Sequence, residues 1–176
     1  MRYVARGAVW CGGALLAALA SIVMADPADP AALVRLAEQE ALLRTALAPT
    51  AAVIEHADGV VVLHFPVHLA FAADRAELLP AGTAFLDAVA RSLRDYKRSR
   101  VVVAVYTDAI GGSEFNQQQS QGRAGVVVAY LQIKGVAPER LVARGAGETA
   151  PLPAPNTPEG RDLNRRLELT ITPLSS

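Results

Sequence analysis

The 176-residue chain has one cysteine, one tryptophan, two methionines and only 5% aromatic residues. A single thiol forms no internal disulfide, so no cross-linked scaffold holds this protein together. An excess of charge of either sign is missing too: 17 basic side chains meet 17 acidic ones, and the isoelectric point is near 6.8. Such a chain has no broad basic surface for a phosphate backbone, so nucleic acid is not an expected partner and any anion recognition must be local. Charged residues are only 19% of the chain against 52% hydrophobic, which excludes a disordered polyampholyte and supplies the apolar area for a core. Signs of catalysis and metal binding are also absent. No Ser or Thr sits in a G-x-S-x-G elbow. His64 and His68, four apart on a strand-like run where they are expected to be partly exposed, would stand about 13 Å apart, too far to share a metal. No enzymatic activity, metal or cofactor is expected.

The apolar residues are unevenly spread. Gly7 to Ala25 is a run of 19 residues without a charge, preceded by Arg2 and Arg6 and followed by Asp26-Pro27. A basic start, an Ala/Leu centre and a small-residue end read as a secretory signal over residues 1–25, cleaved after Ala25. At about 1.5 Å per residue the run also nearly spans a bilayer core of about 30 Å, so a retained N-terminal anchor is the alternative, and the one route to a membrane. Cys11 follows the bulky Trp10, and most of the apolar run lies after it, which argues against lipidation.

Residues 26–58 read as a Pro-rich spacer and one short helix, with Leu33, Leu36, Leu43 and Leu47 near helical spacing, Pro49 ending it, and turn chemistry up to Asp58-Gly59. Val60 to Phe65 is rich in β-branched residues and reads as a strand that continues past a bend at Pro66 to Phe71. An amphipathic helix over Leu78 to Tyr96 follows, with Pro80 in its first turn. Val101 to Val105 is an uninterrupted apolar strand. Ser113 is a candidate N-cap for a helix ending at Gly135. A strand near Leu141 to Arg144, a Gly/Pro-rich loop to Gly160 and an alternating strand over Leu163 to Thr172 complete the order β-α-β-α-β-loop-β. The fold class expected is α/β, in the sense of an α+β sandwich: a mixed sheet of about four strands with helices packed on one side and crossover helices joining parallel neighbours.

The informative segment joins the apolar strand to the helix after it: Thr107-Asp108-Ala109-Ile110-Gly111-Gly112-Ser113-Glu114-Phe115-Asn116. A loop at the carboxyl end of a strand that runs into a helix N-terminus offers unpaired N–H groups to an anion. On that helix Asn116, Ser120 and Arg123 fall at i, i+4 and i+7 and make a polar stripe, with Phe115, Val127 and Leu131 expected to point elsewhere. An Asp in the loop and an Arg on the stripe suit a zwitterion, one taking an ammonium and the other a carboxylate.

Thr107-Asp108, Gly112-Ser113, Asn116, Ser120, Arg123-Ala124, Gly145-x-Gly147, Gly160-Arg161 and Asn164-Arg165-Arg166-Leu167-Glu168-Leu169, with Phe71, Leu78 and Pro80 spaced F-x6-L-x-P, resemble the OmpA-like C-terminal domain over Val60 to Thr172. The resemblance implies an OmpA-like domain over residues 59–174 that binds peptidoglycan without catalysis, through the diaminopimelate of the stem peptide. It implies that Asp108 and Arg123 hold the diaminopimelate side chain, that Thr107 and Asn116 add hydrogen bonds, and that Arg166 contributes from the last strand, with Ser120, Asn164 and Arg165 in support. Tyr106 stands where the family usually has His, and Gln119 where it commonly has Leu. The partners implied are peptidoglycan and proteins of the cell envelope, and the compartment is the periplasm of a Gram-negative envelope, with the outer membrane nearby. The alternative is a protein-interaction module of an envelope complex that keeps the fold and binds wall weakly or not at all. With about 34 residues, Asp26 to Gly59, between the export segment and the first strand, an eight-stranded barrel is not expected ahead of the domain. No Asp lies in the apolar run to conduct protons.

Overall fold

A computed structural model describes residues 29–174; the expected export segment, its Cys11 and the first residues of the spacer lie outside them. The first element, α1 (Pro30–Leu47), starts where the Asp29 carboxylate accepts the N–H groups of Ala31 and Ala32 at 3.0 and 3.2 Å, with Pro30 supplying a preset φ. Then follow β1 (Val53–Ala57), β2 (Val60–Pro66), the single turn α2 (Val67–Ala70), α3 (Pro80–Asp95) and β3 (Ser99–Tyr106). The chain ends with α4 (Ser113–Ile133), a 3-10 turn (Pro138–Arg140), β4 (Leu141–Gly147), α5 (Pro158–Asn164) and β5 (Arg166–Pro173).

The sheet has five strands in the order β1-β2-β5-β3-β4, with β3 and β4 parallel and every other pair antiparallel. Period-two alternation points Val61, Leu63 and Phe65 of β2, Val101, Val103 and Val105 of β3, and Leu167, Leu169 and Ile171 of β5 into one core. The same core takes Leu36, Leu43 and Leu47 from α1, Phe85, Leu86, Val89 and Leu93 from α3, and Ala124, Val127 and Leu131 from α4, so these helices cover one face. Phe65 of β2 stacks on Phe85 of α3 with ring centroids 4.5 Å apart.

The fold class is the α/β one expected, with four local differences. The residues before Gly59 hold β1, which pairs with β2 through a two-residue turn at Asp58 (φ 50°) and Gly59 (φ 75°), so the sheet gains a fifth strand. Asp-Gly with two left-handed residues is the favoured hairpin turn; Glu55 and His56 hid the strand by breaking its apolar pattern. The second difference is at Pro66, where β2 stops and the chain turns into α2, the Val67 N–H donating to Arg165 O at 2.9 Å. Only Phe71 regains a β-bridge, with Leu78. Third, Leu163 belongs to α5, and β5 starts at Arg166. Fourth, Gly112 takes the N-cap of α4 and Ser113 is its first residue, with no side-chain cap bond. One crossover helix, α4, joins the parallel neighbours β3 and β4, while β5 separates β2 from β3.

His64 is 5% exposed, not the partly exposed residue expected. It stands 3.4 Å from Glu55 and 3.5 Å from Glu168 on the sheet face away from the helices. Glu168 also receives the Arg166 Nε–H at 2.7 Å. Burial pushes the Glu168 carboxyl up, but His64 and Arg166 outweigh it, so the group lies below its ordinary 4.5. A depressed carboxyl contributes stability that is present above the unfolded value and lost as pH falls through the folded one. The melting temperature therefore drops as pH falls below 4.5. Calorimetric melts across that range should show Glu168→Gln flattening the fall.

Arg140 is a second buried charge with a structural duty. Its guanidinium donates to Ser99 O and Leu93 O, both at 2.7 Å, and to Tyr96 O and Ser99 Oγ, both at 2.9 Å. It thus closes the end of α3 onto the start of β3. Arg140→Met removes the buried donor from Ser99 O and Leu93 O, while Tyr96 O keeps the Ser99 hydroxyl at 3.2 Å, and should cost about 2 kcal/mol, read as a lower urea midpoint with no change in slope.

Candidate functional site

Thr107 leaves β3 with its N–H on Gly147 O at 2.8 Å, which ties the carboxyl ends of β3 and β4 together. Asp108 follows, 8% exposed, and its Oδ1 accepts the Ile110 N–H at 3.0 Å in an Asx turn. Asp108 Oδ2 pairs with Arg165 Nη1, and the other arm of Arg165 reaches Asp162. From the first turn of α4, Asn116 Nδ2 donates to Asp108 O at 3.3 Å and to Glu148 Oε2 at 3.2 Å. The loop is thereby fixed at both ends.

Helix α4 is seated by a close approach. A side chain at Gly145 would put its Cβ 2.4 Å from the Gln121 nitrogen, so only glycine lets the helix lie this near β4. Gln117 Nε2 donates to Gly145 O at 2.8 Å, and Gly145 N–H donates to Gln121 Oε1 at 2.6 Å. The buried residues of α4 are Asn116, Ser120, Arg123, Ala124, Val127 and Leu131. The polar stripe therefore runs straight into the apolar one, and Val127 and Leu131, expected on another face, extend it. A helix anchored through Val127 and Leu131 carries Asn116 and Arg123 to the sheet end as a rigid unit.

Arg123 is 6% exposed. Its Nε donates to Arg75 O at 3.0 Å and its Nη1 to Gln119 Oε1 at 3.1 Å, and the guanidinium lies 5.5 Å from the centre of the Phe71 ring. Burial lowers its pKa from the ordinary arginine value, with Asp74 pulling the other way; it stays a cation. Asp108, Arg123, Thr107, Asn116 and Arg165 all line one cleft of about 390 Å3, with Phe71, Asp74, Tyr106 and Gln119 also in its walls and Ile110 and Phe115 at 65% and 59% exposure forming an apolar rim. Thr107 is 7% exposed, and its Oγ1 has no hydrogen-bond partner among the described residues. An orphaned buried hydroxyl in a cleft wall is costly unless something fills the cleft.

Three expected residues stand off this cleft. Ser120 is fully buried, donates to Gln117 O and accepts the Gly147 N–H, both at 3.0 Å, clipping α4 to β4. Asn164 accepts the Leu152 N–H at 2.8 Å and donates to Gly160 O at 2.7 Å, which pins the loop before α5. Arg166, expected among the ligand contacts, is 3% exposed and lies 3.7 Å from the centre of the Tyr106 ring, behind β3. Burial, and then the charge of Glu168, push the Tyr106 phenol up to about 12. Alternation along β5 explains the exchange: Arg166 falls on the outer sheet face, and Arg165, just before the strand, reaches the cleft. Sequence reasoning missed Phe71 and Asp74 as cleft residues and the Arg75 carbonyl as an acceptor for Arg123. The F-x6-L-x-P spacing marked that loop without showing that it faces α4.

The chain belongs to the OmpA family, whose family model matches residues 70–165. It is 36% identical over 136 residues to the Probable lipoprotein YiaD of Escherichia coli (strain K12), covering 77% of this chain and 62% of that protein. It is 38% identical over 98 residues to Outer membrane protein A of Bordetella avium, covering 56% of this chain and 50% of that protein. The Peptidoglycan-binding protein ArfA of Mycobacterium tuberculosis (strain ATCC 25618 / H37Rv) is 38% identical over 103 residues, covering 58% of this chain and 32% of ArfA. The chain thus spans less than two thirds of the length of these relatives. Among solved structures, the cell wall anchor of the T6SS from Pseudomonas aeruginosa superposes with a TM-score of 0.66 at 27% identity, covering 74% of this chain and 96% of that one. A MotB-like protein of Desulfovibrio vulgaris superposes at 0.72 and 24% identity, over 81% and 97% of the two chains, and shows the shared fold.

Proposed function

We propose that this protein binds peptidoglycan without catalysis, its cleft taking the zwitterionic end of a diaminopimelate side chain in the stem peptide. The observation that carries this reading is a buried carboxylate and a buried guanidinium, Asp108 and Arg123, in the walls of one cleft beside the orphaned hydroxyl of Thr107. Asp108 takes the ligand ammonium in competition with Arg165, and Arg123 takes the carboxylate as a charge-assisted fork. Thr107 Oγ1 donates to the same carboxylate, and Asn116, whose Nδ2 is spent on Asp108 O and Glu148 Oε2, offers its Oδ1 to the ammonium. Arg166 supports the site from behind Tyr106, while Ser120, Asn164 and Arg165 hold its loops. The binding unit runs from α1 to β5, because α1 and β1 share its core and sheet, and so is wider than residues 59–174. Relatives named as a lipoprotein, an outer membrane protein and a cell wall anchor support a periplasmic setting at the envelope, with wall-tethering as the role and other envelope proteins as neighbours.

Cell-wall sacculi purified free of protein test this reading. The protein should pellet with them and be released by a soluble diaminopimelate stem peptide. A protein that stays in the supernatant while folded is an interaction module, not a wall binder.

A further inference from the structure

Gln119 sits one turn before Arg123 on α4, half-buried, in the wall of the cleft. An arginine has only donors, so the Gln119 oxygen is the end that must face it, and Oε1 indeed accepts from Arg123 Nη1 at 3.1 Å. That choice turns the Gln119 Nε2 away from Arg123, and Nε2 makes no hydrogen bond among the described residues. Arg123 has spent its Nε–H on Arg75 O and one Nη1–H on Gln119. What remains at this corner of the cleft is the rest of the guanidinium end together with the Gln119 amide hydrogens: a group of donors, with the Gln119 oxygen already engaged.

We infer that Gln119 is a specificity-determining residue, its amide locking the Arg123 fork and adding a donor beside it so that the cleft selects a free carboxylate over a carboxamide. The inference rests on the stem-peptide reading given above and deepens it. A carboxylate meets these donors with lone pairs alone. A carboxamide brings no charge to the Arg123 fork, and its NH2, where it meets Arg123 and Gln119, faces donors alone and must turn to the cleft carboxylates, Asp74 and Asp108, for an acceptor. An apolar side chain at position 119 would remove the lock and the extra donor and leave the charge of Arg123 intact. A glutamate there would repel the carboxylate and give the carboxamide NH2 an acceptor beside Arg123.

The test is titration calorimetry of the purified protein with two stem peptides, identical except that the side-chain terminus of diaminopimelate is a carboxylate in one and a carboxamide in the other. The wild type should prefer the carboxylate by at least about thirtyfold. Gln119→Leu should weaken carboxylate binding by about tenfold and shrink the preference to about fivefold. Gln119→Glu should abolish or reverse the preference. Both side chains suit a helix, so melting temperatures close to wild type confirm that folding is unaffected. A Gln119→Leu protein that keeps the wild-type preference overturns the inference and leaves the stem-peptide reading standing. A folded wild type that binds neither peptide overturns both.

Discussion

Asp108→Asn and Arg123→Ala should each raise the Kd for a diaminopimelate stem peptide by a hundredfold or more, about 3 kcal/mol, because each removes one charge of the buried pair proposed to anchor it. The asparagine variant isolates charge from architecture. Its side-chain oxygen still accepts the Ile110 N–H that Asp108 holds at 3.0 Å, so the loop keeps its Asx turn while the ammonium loses its counter-ion. Arg123→Lys is the matching variant for the other anchor. It keeps a positive charge over Phe71 but cannot donate to Arg75 O, Gln119 Oε1 and a ligand carboxylate from one planar fork, so its loss should approach that of alanine. Calorimetric titrations of variants whose melts remain cooperative supply the check. Binding within threefold of wild type in Asp108→Asn would show that the cleft uses no charge there.

Gly145→Ala should lower the melting temperature by about 10 °C and weaken peptide binding in the same protein. The added Cβ would lie 2.4 and 2.6 Å from the main-chain nitrogen and Cα of Gln121. Main chain cannot swing aside, so α4 must lift from β4 and lose the two bonds that Gln117 and Gln121 make to Gly145. Overpacking of this kind costs about 3 kcal/mol, which in a domain of this size converts to roughly that shift. Because α4 also carries Asn116 and Arg123, the displacement is passed to the cleft. Gly122→Ala, on the same helix with nothing within 4 Å of the added carbon, is the contrast: it should stabilise by about 0.5–1 kcal/mol through helix propensity and leave binding alone. Equal melting temperatures for the two variants would contradict the close packing of α4 on β4.

The contrast between these glycines shows which features sequence could carry. Strands β2, β3 and β5 and helices α3 and α4 were legible because their apolar residues repeat with the period of the element that buries them. β1 was not, since Glu55 faces His64 on the outer sheet face and His56 meets Glu40 on α1 at 2.7 Å, so neither residue reads as buried. The strand is set by its partner β2 and by the Asp58-Gly59 turn. In the cleft, Asp108 and Arg123 stood out because strand-loop-helix geometry and helical spacing converge on them. The identity of the arginine from β5 did not, because Arg165 and Arg166 differ only in which side of the strand start they occupy. Likewise nothing local tells Phe71 that Arg123 will lie over it; that contact joins residues 52 positions apart and is created by the packing of the loop before α3 against α4.

The cleft is proposed to read both charges of one side-chain terminus. The most direct test is a calorimetric titration of the wild-type protein with a diaminopimelate stem peptide and with the same peptide carrying lysine, which keeps the ammonium and lacks the carboxylate. Saturable binding of the first, with the second at least about thirtyfold weaker, is the predicted result. Equal affinity for the two peptides, or no heat from either with a folded protein, would contradict the account.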